Sequence, residues 1–212
     1  MKELSLLIAL SAIMFPRIEN EYLMITDRQT PCPNGYEEQI SSELEPIIHT
    51  RADGRPTQYM IKEAALALDA LLYAADDAGF DITVTSAYRS YEYQKTIYEL
   101  RLSTLIASGL TLDEAIIKTQ ETVDPPGYSE HQTGLAVDMY SEKYALMSFQ
   151  YSDEFKWLCE NAPRYGFILR YPKGKESVTG HAFEPWHFRF VGKCAEEMTK
   201  KELILEEYVE NK

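Results

Sequence analysis

Two short stretches of the chain combine residue types that could activate a water molecule. One runs Ser129-Glu130-His131-Gln132-Thr133-Gly134-Leu135-Ala136-Val137-Asp138, the other Glu184-Pro185-Trp186-His187-Phe188-Arg189. Strand alternation from 135 to 140 sends Leu135, Val137 and Met139 to one face and Ala136, Asp138 and Tyr140 to the other. A carboxylate in so apolar a strand is costly unless it is paired or coordinates a metal. Ala136 is small and leaves room beside it. His131 lies in the loop entering that strand, where Gly134 permits a sharp turn. His187 alternates away from Trp186, Phe188 and Phe190. A single strand histidine is usually structural, and it is the combination that points to a site. His131, Asp138 and His187 form a two-histidine, one-carboxylate set, which on Zn²⁺ leaves one position open for water.

A water-activating site also needs a base, and Glu184 is the candidate. Strict alternation would place it with Trp186, on the wrong face. The intervening Pro185 breaks the alternation and can return the carboxylate toward His187. Ser86-Ala87-Tyr88-Arg89-Ser90 sits where a strand turns into a helix. From there Arg89 can point into a cleft, to grip a substrate carboxylate or stabilise an oxyanion. Gln94, five residues on, can face the same way. His49 and His181 read as structural. The chain lacks an H-E-x-x-H helix, a G-x-S-x-G elbow and a Gly-rich phosphate loop.

The elements that must position these residues follow from periodicity. A long helix is expected from about Thr57 to Gly79, with Met60, Ala64, Ala67, Leu68, Leu71, Leu72 and Ala75 on one face. Asp81 to Ala87 reads as a strand and Ser90 to about Ala107 as a helix. Thr111-Leu112-Asp113-Glu114 is a capping-box start for a third helix. Strands are expected at Leu135–Tyr140, 165–171 and 186–191. Helices are expected at 153–162 and, as one piece, at 195–208. Helices bunched before most of the strands argue a single α+β domain, with a small, mainly antiparallel sheet carrying the zinc site between flanking helices.

The 212 residues suffice for one domain with a core, read here as 21–212. With 21 basic against 34 acidic residues and a net charge of −13, nucleic acid is excluded as a partner and adhesion to anionic membranes is disfavoured. Cys32, Cys159 and Cys194 cannot all pair, and free thiols are expected. Residues 1–20 form a separate apolar segment. Leu4 to Phe15 is too short for an ordinary spanning helix and fits a secretory signal or an anchor, although Glu3 spoils the basic flank, and a core-packed or interfacial helix is the alternative.

The blocks Ser-Ala-Tyr-Arg-Ser, Ser-Glu-His-Gln-Thr-Gly-Leu-Ala-Val-Asp and Glu-Pro-Trp-His, in this order, resemble the VanY-type D-alanyl-D-alanine carboxypeptidases and related LD-carboxypeptidases. The resemblance covers roughly residues 21–192. It implies that His131, Asp138 and His187 bind zinc and that Glu184 is the catalytic base. It assigns Arg89 to the substrate carbonyl or carboxylate, and Ser129 and Gln94 to the substrate's C-terminal end. The implied reaction is removal of the terminal D-alanine from peptidoglycan stem peptides, at the cell envelope or outside the cell. An endopeptidase on the same zinc fold and a non-catalytic wall-peptide binder are the alternatives. DD and LD preference depend on pocket shape, which the residue pattern does not encode.

Overall fold

The computed structural model describes residues 19–49 and 56–212; the apolar run from Leu4 to Phe15 lies outside them, and with it the signal-or-anchor reading. Among the described residues the order is α1 (Tyr36–Ile40), β1 (Leu44–Pro46), β2 (Tyr59–Ile61), α2 (Lys62–Asp77), β3 (Thr83–Ser86), α3 (Tyr91–Ala107), α4 (Leu112–Gln120), β4 (Ala136–Tyr140), α5 (Asp153–Asn161), β5 (Phe167–Leu169), α6 (Glu176–Thr179), β6 (His187–Phe190), α7 (Ala195–Lys200) and α8 (Leu205–Glu210). The main sheet has the order β3-β4-β6-β5, with every neighbour antiparallel. β1 and β2 form a separate antiparallel pair. This is the expected α+β arrangement. None of the described helices is long and apolar enough to cross a membrane.

The core lies on one face of this sheet. Leu135, Val137 and Met139 from the β4 segment and Phe188 and Phe190 from β6 pack with Ala64, Ala67, Leu68, Leu71 and Ala75 of α2. The apolar stripe read from the sequence is therefore the buried face of α2, and removal of that apolar area from water is its main stabilisation. The other face of β4 and β6 is left for polar residues.

The strand expected over 81–87 shortens to Thr83–Ser86, and three further boundaries differ more tellingly from expectation. The helix expected from about Thr57 starts at Lys62, because Tyr59–Ile61 pairs with β1 and Ile61 N donates to Gly134 O at 3.0 Å. Partners distant in sequence override local helix periodicity there. The strand expected over 165–171 shrinks to Phe167–Leu169, since a 3₁₀ turn occupies Ala162–Tyr165 and ends at Gly166 with φ 84°. A Cβ at Gly166 would come within 2.7 Å of the Phe190 ring, so only glycine fits. The single C-terminal helix is two. Glu202 takes φ 54°, Leu203 N closes the end of α7 on Met198 O, and α8 restarts at Leu205. Met198, Leu205 and Tyr208 share a second apolar cluster with Ile168 and Val191. The capping box is present as expected: Glu114 N donates to Thr111 Oγ1, and Thr111 N donates to the Glu114 carboxylate.

Candidate active site

β4 and β6 are paired in a register that sets Asp138 directly opposite His187. Both side chains rise from the face that does not meet the core. His131 arrives from the 3₁₀ turn Glu130–Thr133, which closes on Gly134 at φ 68°. A Cβ on Gly134 would sit 3.1–3.3 Å from Ile61 and Leu44, so the tight approach of this turn to β1 and β2 also depends on glycine. One ligand atom from each of His131, Asp138 and His187 can be chosen so that all lie within 4.8 Å of one another, and all three residues are buried. Among the described residues this is the group that could hold a metal ion.

The rings are oriented from behind. His131 Nδ1 lies 2.6 Å from the Ala87 carbonyl, which can only accept, so Nδ1 carries the proton and Nε2 presents its lone pair to the site. His131 Nε2 is 3.3 Å and His187 Nδ1 3.2 Å from Asp138 Oδ1. These distances would allow hydrogen bonds, yet Oδ1 makes no aligned one with any described residue. An oxygen and two nitrogens converging on buried residues at the floor of a cleft, without satisfying each other, suit a cation better than they suit one another. The electrostatics of Asp138 and His131 point the same way. Burial opposes charge on Asp138, but His131 and Arg89 hold its carboxyl well below the usual range. Burial and then Arg89 push the His131 ring below its ordinary value, toward the neutral form a metal needs. Burial also acts against charge on His187, but Asp138 and Glu130 override it and raise the ring to about 9.

Glu184 is where the proline break was expected to return it. Its Oε2 is 3.7 Å from His187 Nδ1, and its Oε1 has no hydrogen-bond partner among the described residues. The His187 N–H donates to the Glu184 carbonyl at 3.2 Å, and this turn aims the carboxylate inward. Burial first, then Asp138 and Asp124, raise the Glu184 carboxyl to about 8. Trp186 departs from strict alternation: β6 begins at His187, and Trp186 lines the cleft instead of joining the core.

Arg89 also borders the cleft, but its guanidinium is occupied. It donates to Ser86 Oγ (2.7 Å), Gln94 Oε1 (3.3 Å) and Asp138 Oδ2 (2.5 Å). Gln94 is fully buried, and its Nε2 donates to Asp124 O at 2.8 Å. Both ends of that amide are thus committed to protein, which makes Gln94 a support for Arg89 in this state. Ser129 is buried in the cleft wall. The cleft encloses about 240 Å³. His49, expected to be structural, pairs with Asp76 at 2.7 Å. His181, also expected to be structural, stacks on Tyr171 and sits 3.1 Å from Asp124 Oδ1, and it borders the cleft.

Sequence reasoning missed the buried charges behind His187: Glu130, Arg170, Arg189 and Glu206. Two signals were available. Glu130 adjoins His131 within its block, and Arg189 shares the alternation of His187. No local pattern marks Arg170 or Glu206, which meet only through the fold.

A two-histidine, one-carboxylate group with a buried glutamate at its edge, on a small antiparallel sheet, defines a metallopeptidase of the zinc class. The family model described as VanY, D-alanyl-D-alanine carboxypeptidase, matches residues 57–193, and the chain belongs to this family. It is 36% identical over 189 residues to the D-alanyl-D-alanine carboxypeptidase of Enterococcus faecalis. That match covers 88% of this chain and 65% of the enterococcal enzyme, so the chain spans just under two thirds of that relative's length. Among solved structures, VanYB in complex with D-alanine-D-alanine is 33% identical with a TM-score of 0.74, covering 89% of this chain and 97% of that one. The LdcB LD-carboxypeptidase is 38% identical with a TM-score of 0.77, covering 91% and 86%. A VanY variant from a VanB-type resistance cassette was solved in complex with Zn(II). The chain is accordingly a zinc peptidase.

Proposed function

We propose that this chain removes the C-terminal D-alanine from peptidoglycan stem peptides, with His131, Asp138 and His187 holding the zinc. The observation that carries the reading is the unpaired Glu184 Oε1, buried beside the convergent His131, Asp138 and His187. Bound zinc supplies Lewis-acid polarisation of a substrate carbonyl and acidifies water. Glu184 then acts as the base, taking the proton of the attacking water at Oε1 and delivering it to the departing amine. Burial makes its carboxylate a strong base once ionised, and the nearby positive charge of Arg89 favours that ionised form. Arg89 locks Asp138 and turns positive charge toward the cleft, which suits a substrate ending in a carboxylate. Ser129 lines the same wall, and Gln94 steadies Arg89. A cleft of about 240 Å³ lies just below the usual range of ligand sites, a size that suits the end of a peptide better than its middle.

Residues 21–212 are read as one catalytic domain. Stem peptides lie outside the cytoplasmic membrane, so the proposed place of work is the cell envelope.

The test is to incubate the protein with synthetic stem pentapeptide and tetrapeptide and follow loss of terminal D-alanine by mass spectrometry. Release should stop with chelator, return with zinc and fail in Glu184→Gln. Shortening of the pentapeptide alone assigns DD activity; shortening of the tetrapeptide alone assigns LD activity. No release from either peptide by zinc-loaded protein refutes the proposal.

A further inference from the structure

The charged cluster behind His187 takes no part in the chemistry above. Glu130 Oε1 accepts from Arg170 Nε at 2.7 Å and faces Arg189 Nη1 at 2.8 Å. The other two nitrogens of Arg170, Nη1 and Nη2, reach the two oxygens of Glu206 at 2.9 and 2.6 Å. Arg189 is pinned separately, with Nη2 donating to Tyr22 O and Met24 O. All four charged residues are buried, and two carboxylates balance two guanidiniums. The second oxygen of Glu130 lies 3.5 Å from His187 Nε2. Neither of those atoms has an aligned hydrogen-bond partner among the described residues, and each is within ion-pair reach of the other.

We propose that Glu206 is a positioning residue for the zinc site: its two-point clamp on Arg170 holds Glu130 behind His187 Nε2 and thereby keeps Nδ1 aimed at the metal. The clamp works because a guanidinium is planar and rigid. Fixing both terminal nitrogens fixes the direction of Nε, which carries Glu130 Oε1. With Oε1 held by two guanidiniums, Oε2 is left for the imidazole, and a carboxylate there fixes both the tautomer and the ring plane of a metal-binding histidine. Charge acts in the same sense. Without the Glu206 carboxylate, two buried guanidiniums oppose one carboxylate, and the surplus positive charge lies beside a dication. Glu206 is on α8, beyond residues 57–193 matched by the family model. The inference rests on His131, Asp138 and His187 being the zinc ligands.

The experiment is a Zn²⁺ affinity measurement by competition with a chromophoric chelator, at a temperature where circular dichroism shows each protein folded. Glu206→Gln should bind zinc about 10-fold more weakly than the wild type, in line with other losses behind a ligating histidine. The Co²⁺-substituted protein should show an altered d–d absorption spectrum, which a mere loss of stability would not produce. Arg170→Met combined with Glu206→Leu guards against a folding failure, because buried ion pairs often tolerate apolar replacement of both partners. This double variant should also lose zinc affinity while folded. Affinity within twofold of wild type, in whichever of the two variants folds, overturns the inference alone. A wild-type protein that binds no zinc overturns the ligand reading and this inference with it.

Discussion

Two buried polar clusters share a wall at Glu130 and His187, and they differ in how they are satisfied. In the arginine cluster each nitrogen of the Arg170 guanidinium has a carboxylate partner, and the formal charges cancel. In the metal cluster Asp138 Oδ1 and Glu184 Oε1 have no aligned partner, although both are enclosed. Leaving such atoms unpaired costs free energy on the order of 1–3 kcal/mol each. The arginine cluster has open atoms too, Glu130 Oε2 and Arg189 Nη1, but each lies within ion-pair reach of an opposite or titratable charge. In the metal cluster the ligand atoms of His131, Asp138 and His187 instead converge on one point, as in a site that receives an ion. The contrast separates a polar core that holds geometry from one that does chemistry.

The contrast breaks most completely at a ligand. His187→Ala should lower zinc affinity by more than about 100-fold, beyond the range of second-sphere losses, with activity at background; metal analysis after gel filtration checks this. Glu184→Gln should keep wild-type zinc content and lose roughly 10²–10⁴-fold in kcat, the usual weight of a general base. Equal loss of zinc in that variant would show that Glu184 belongs to the holding cluster instead. Arg89→Lys keeps the charge but not the three-way fork to Ser86, Gln94 and Asp138, and should cost about 10–100-fold in kcat/KM.

The smallest effect concerns pH. In chelator-treated protein the Glu184 carboxyl is raised from 4.5 to about 8 and the His187 ring from 6.5 to about 9. Both groups bind protons more tightly folded than unfolded. Their contribution is complete below the unfolded values and is lost as pH rises through the folded ones. The metal-free melting temperature should therefore fall between pH 6.5 and pH 9. A rise over that window would show that the two groups are not buried together as described.

Much of this was legible in advance. The alternation 135–140 already put Asp138 on the face opposite the core, because strand geometry has a period of two whatever the fold. The capping box at Thr111 was readable because its partners are three residues apart. The strand at Tyr59–Ile61 was not, because its hydrogen bonds go to Leu44–Pro46 and to Gly134, and a run that also satisfies helical spacing does not reveal which partner will win. The break at Glu202 was hidden because no glycine or proline marks it, its positive φ falling on a residue of ordinary helical preference.

The sequence by itself determined the chemical set: two histidines, a buried-face aspartate and a glutamate released from alternation by Pro185. Local spacing decides which side of a strand or turn such residues occupy. Only the tertiary structure decided the register that sets Asp138 opposite His187, the commitment of Gln94 to Arg89, and the reach of Glu206 through Arg170 to Glu130. Those pairings join residues up to tens of positions apart, and the free energy that selects them comes from packing and charge balance that no single segment contains.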